Sequence, residues 1–118
     1  MLQLEIINPH NYSVNSAKIK LHLEHILRRL NYPDSVSIEI KFCNEGEIQQ
    51  LNTMYRNNNS TTDVLSFNAT DNPELLGSIA ICSQVAFAQA SQAGITVDAE
   101  YNQLATHGLL HLLGYNHK

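Results

Sequence analysis

No stretch of this chain approaches the roughly 18 consecutive apolar residues of a membrane span, and the opening run, interrupted by Gln3 and Glu5, lacks a basic-then-apolar leader. These absences predict a soluble, unexported, cytoplasmic protein. Cysteine is scarce. Cys43 and Cys82 stand too far apart for a Cys-x-x-Cys redox or zinc motif, and each ends an apolar run. Both read as buried, reduced thiols acting as small hydrophobes, in keeping with a cytoplasmic compartment. Basic charge is scarce too: 7 Lys and Arg face 11 Asp and Glu, a formal charge of -4. Lys18, Lys20, Arg28, Arg29 and Lys41 are dispersed over segments that read as a helix and a strand. A basic tract for nucleic acid is therefore excluded, and any phosphate-binding groove must be assembled by folding.

The 118 residues suffice to bury a core without disulfides, and 43% hydrophobic with 15% charged residues is a globular composition. One domain over residues 1–118 is expected. Leu2, Leu4 and Ile6 alternate with polar residues as a first strand. Over residues 13–30, Val14, Ala17, Leu21, Ile26, Leu27 and Leu30 recur at helical spacing, with Arg28 and Arg29 near the C-terminal dipole. After a turn at Asn31, Pro33 and Asp34, Val36 to Phe42 alternate as a second strand. Asn44 with Glu47 makes a capping box for a helix that carries Ile48, Leu51 and Met54 inward and runs to about Tyr55.

Residues 57–62 are a polar loop, 63–67 a short third strand, and 77–81 a fourth, pairing with the third as an antiparallel hairpin with a wide connection. Ser83 is placed to cap a helix of Val85, Ala86, Phe87, Ala90 and Ala93 that stops at Gly94. Thr96 caps a last helix over 97–113, with Asp98 and Glu100 at its positive end and Gly114 as terminator. The order predicts an α+β domain, a mixed four-stranded sheet packed with about four helices.

The strongest chemical signal is His107, His111 and His117. Histidines four apart on a helix are separated by about 40° around the axis and about 6 Å along it, so both imidazoles reach one ion. A third ligand needs the chain to turn back, and Gly114 permits positive φ at that point. Three imidazoles with an open fourth position suit one catalytic zinc ion. The tail His111, Gly114, His117 also matches part of the metzincin signature, but Gly108 stands where those peptidases carry their glutamate base. His10, His22 and His25 have no such partners and read as ordinary solvated or hydrogen-bonded residues.

Three stretches together resemble the YbeY endoribonuclease family: the run from His107 to His117, with its His-Gly-x-Leu-His-Leu-x-Gly pattern; Tyr55 and Arg56 followed by Thr62, Asp63, Val64, Leu65, Ser66 and Phe67; and the fourth strand from Gly77. Two residues depart from the pattern: Asn116 replaces an aspartate able to orient a ligand, and Ser78 an acid after the glycine. The resemblance implies zinc ligation by His107, His111 and His117, a functional Arg56 beside the metal, and cleavage of single-stranded RNA. It further implies action on ribosomal RNA of the small ribosomal subunit, at its 3′ end, and in ribosome quality control. Arg56 would complement phosphate with a planar fork of donors. Asp63 or Ser66 could assist proton transfer or orient substrate, but Asp63 is equally a turn residue opening a strand and neither is counted in the catalytic set, while Tyr55 and Phe67 could stack on unpaired bases or pack in the core. The alternatives are a metal-dependent peptidase or other small-substrate hydrolase, and a module in which zinc only staples the last helix.

Overall fold

The computed structural model describes residues 1–33, 35–58, 61–69 and 74–115. Eight elements follow one another: β1 (Gln3–Ile7), α1 (Ser16–Arg29), β2 (Ser37–Cys43), α2 (Glu45–Arg56), β3 (Val64–Asn68), β4 (Leu75–Cys82), α3 (Ser83–Ala93) and α4 (Val97–Leu112). The four strands form one sheet in the order β1-β2-β4-β3. β1 and β4 lie parallel to β2, and β3 runs antiparallel to β4. This is the mixed α+β architecture expected, with the antiparallel pair at one edge. No described helix is long and apolar enough to cross a membrane.

Strand alternation divides the core in two. Ile38, Ile40, Phe42, Ile79 and Ile81 face α1 and α4 in the larger cluster, and Cys43, Leu65, Ala80 and Cys82 face α2 through Ile48 in the smaller. Cys43 and Cys82 are free, buried neighbours on adjacent strands. Burial pushes both thiols up, Cys43 to about 11, which keeps them neutral.

Two inward faces differ from expectation, and one aromatic side chain on a third helix stands partly in solvent. In α1 the buried stripe is Ile19, Leu23 and Leu27, while Leu21 is exposed. Leu21 lies two positions from Ile19, about 160° round the helix, so both cannot meet the sheet. In α2 the inward line is Ile48 and Asn52, and Met54 is 71% exposed. In α3, Phe87 is 44% exposed and meets Tyr101 edge-on with ring centres 6.4 Å apart.

Local signals set the helix ends. Asn44 accepts from Glu47 N at 2.9 Å, and Glu47 Oε1 accepts from Asn44 N at 2.9 Å, a reciprocal box. Thr96 accepts from Ala99 N at 3.1 Å. Ser83 does not cap α3: it is the helix's first residue, and Cys82 occupies the cap without a side-chain bond. Asn31, Asn57 and Gly94, all at positive φ, close α1, α2 and α3.

Candidate active site

α4 carries two of the expected ligands because its opposite face is fully engaged. Tyr101, Leu104, Ala105, Leu109 and Leu112 are buried, which leaves His107 and His111 on the exposed side. Gly108 lets the helix lie close to the sheet: a Cβ there would come within 2.7 Å of Ile79 Cγ2. After Leu113 the chain turns at Gly114, φ +92°, with Gly114 N donating to His111 O at 3.1 Å and Tyr115 N to Leu110 O at 2.9 Å. These two bonds are those of a Schellman turn, which satisfies the last carbonyls and ends the helix as the glycine predicts. His117, the expected third ligand, and Asn116 lie outside the described residues.

Arg56 arrives from α2. Ile48, Asn52 and Arg56 are spaced i, i+4, i+8, so one helical stripe passes from the core, through a buried asparagine, to a cation at the surface. Arg56 Nη2 donates to the backbone oxygen of Ser66 at 3.1 Å, which ties the guanidinium to the edge strand β3.

The space between α4, β3 and the end of α2 is an open cleft of about 540 Å³. Its walls include Arg56, Asp63, Ser66, His107, His111 and Tyr115. The structure thus brings together Arg56 and the two described histidines, which are distant in sequence. Asp63 is fixed at the cleft's edge. Its backbone oxygen accepts from Cys82 N at 2.9 Å, and its carboxylate meets Thr62 Oγ1 and Gln89 Nε2, each at 3.4 Å. Behind it, Glu100 is 6% exposed. Burial, and secondarily the charge of Asp63, raises the Glu100 carboxyl above its ordinary value.

The donor set fits a zinc ion in kind, since two imidazoles face one open cleft and zinc takes nitrogen donors readily. Among the described residues no three His, Cys, Asp or Glu side chains form a metal-holding group. Cys43 and Cys82 are not among the residues that line the cleft. Two other histidines have side-chain partners of their own and do not line this cleft: His10 Nε2 meets Glu47 Oε1 at 2.7 Å, and His22 Nε2 meets Thr106 Oγ1 at 2.9 Å.

Sequence reasoning missed Asn52 and Asn68. Asn68 Nδ2 donates to Leu112 O at 2.9 Å and pins the end of β3 to the end of α4. For Asn52 a signal existed: it is polar on the inward stripe of an amphipathic helix. Asn68 gives none, because its partner is remote in sequence.

A model of the family Endoribonuclease YbeY matches residues 5–118. A protein of Staphylococcus carnosus named Endoribonuclease YbeY is 42% identical over 93 residues, covering 71% of this chain and 61% of the relative. One of the same name from Macrococcus caseolyticus is 40% identical over 93 residues, covering 71% and 60%. A third, from Staphylococcus aureus, is 37% identical over 106 residues, covering 80% and 68%. The chain therefore spans about three fifths of the length of the first two relatives. A Thermotoga maritima protein solved in solution matches the fold with a TM-score of 0.64 at 26% identity, covering 100% of this chain and 75% of that one. With the family model matching residues 5–118 and the Staphylococcus aureus relative 37% identical over 80% of the chain, the chain belongs to the YbeY endoribonuclease family.

Proposed function

We propose that this chain is a cytoplasmic, zinc-dependent endoribonuclease specific for single strands, acting in maturation of the small-subunit ribosomal RNA 3′ end and in ribosome quality control. The observation that carries the reading is that Arg56 from α2 and His107 and His111 from α4 line one open cleft. His107, His111 and His117 would hold the ion, which when bound would supply an acidified water and polarise a phosphoryl oxygen.

The remaining work falls to the chain's own side chains. Arg56, steadied by the Ser66 oxygen, offers its other donors to a phosphodiester and offsets charge gathering on the phosphoryl oxygens. Asp63 is a carboxylate in the same cleft, available to take up the proton of the attacking water. The cleft's openness suits an extended strand rather than an enclosed small molecule. A peptidase reading is weakened at Gly108: its missing side chain would point at Ile79, into the core, so no glutamate base fits there.

The test is to strip the protein of metal, titrate zinc and follow cleavage of a labelled single-stranded RNA, with casein in parallel. Zinc-dependent RNA cutting that His111→Ala abolishes is expected. Binding of zinc with cleavage of casein and not RNA would replace the nuclease reading.

A further inference from the structure

Tyr55 and Phe67 do not line the cleft, yet each adjoins in sequence a residue that does, Arg56 and Ser66. The pairing repeats across the two segments. Arg56 meets Ser66 through Nη2 and the backbone oxygen at 3.1 Å, and Tyr55 meets Phe67 with ring centres 5.0 Å apart and planes tilted by 57°. Successive residues of a strand point to opposite sheet faces, so Ser66 turns towards the cleft and Phe67 away from it. The edge of β3 thus carries a cation on one side and an aromatic pair on the other.

The aromatic pair is built unevenly. Phe67 is half-buried against the smaller core cluster beside Leu51 and Ile48. Tyr55 is backed by that ring but remains 61% exposed. The result is a large, well-supported aromatic plate left in water next to a fixed guanidinium. A single strand of nucleic acid alternates anionic phosphates with flat bases, and proteins that hold it combine cations with stacking rings. A duplex buries its base faces and cannot use such a plate.

We propose that Tyr55, supported by Phe67, is a stacking subsite for the unpaired base adjoining the phosphate held by Arg56, and that it favours single-stranded over duplex RNA at that position. This inference rests on the reading of the cleft as an RNA site. Tyr55 acts here on binding, since it stands outside the cleft where the phosphodiester reacts.

Cleavage by the zinc-loaded native protein, Tyr55→Ala and Tyr55→Phe is compared on one single-stranded oligonucleotide and on versions carrying an abasic residue at each position in turn. For Tyr55→Ala, KM rises about tenfold with kcat nearly unchanged, and Tyr55→Phe stays within about twofold of native. One abasic position reproduces the loss in the native protein and adds nothing further in Tyr55→Ala. Equal KM for native and Tyr55→Ala, a loss in Tyr55→Phe as large as in Tyr55→Ala, or additive losses at every abasic position would each overturn the subsite while leaving the nuclease reading intact. Failure of the native protein to cut or bind any single-stranded RNA removes both.

Discussion

Arg56 is the residue on which charge and geometry converge. Its guanidinium carries five N–H donors, and one Nη2 bond to the Ser66 oxygen sets the plane in which the others are presented. A lysine would keep the charge but lose both the anchor and the fork. Arg56→Lys is therefore expected to lower RNA cleavage by about 10²-fold or more while the urea midpoint barely moves. Single-turnover rates and equilibrium unfolding of the same preparation check the two halves. A rate close to native would mean that position 56 needs only positive charge.

Elements were legible in the sequence where the signal was local. The Asn44 and Glu47 spacing announced the start of α2, and the reciprocal bonds at 2.9 Å are there. Removing the cap with Asn44→Ala should destabilise the fold by about 1 kcal/mol, read as a lower urea midpoint with an unchanged m-value. The same kind of signal failed at Ser83, because the strand β4 runs directly into α3 and leaves no residue free to bend its side chain back. Periodicity failed at Leu21 and Met54, where two apolar stripes competed and only contact with the sheet decides between them. The pair His107 and His111 was readable from a four-residue spacing, since one helix holds both. Arg56 was not readable that way: it ends a helix like any surface arginine, and only its family resemblance pointed to it. The order β1-β2-β4-β3 is likewise set by pairings between segments far apart.

At the scale of the whole molecule, two glutamates respond to pH in opposite senses. The Asn44 backbone N–H, chiefly, holds the Glu47 carboxyl below its ordinary 4.5, with His10 adding to it. That stabilisation is present above the unfolded value and is lost as pH falls through the lower folded one. Glu100 is the reverse: burial first, and Asp63 second, raise it above 4.5. Its contribution is fully favourable below the unfolded value and is lost as pH rises through the higher folded one. Glu100→Gln should accordingly raise the urea midpoint near pH 7, with the gain vanishing below about pH 4. A gain that persists unchanged in acid would show that the substitution works through packing instead.

α4 supplies a wall of the larger core cluster through Tyr101, Leu104, Ala105, Leu109 and Leu112, and from its other face presents His107 and His111. Among the described elements it is the one that contributes both to this interior and, twice over, to the histidines of the cleft. Without α4 the fold lacks a wall of its larger core cluster and both described imidazoles at once. Interior packing and the placement of both imidazoles therefore depend on one helix, so a fault that loosens its buried face disturbs the cleft in the same stroke.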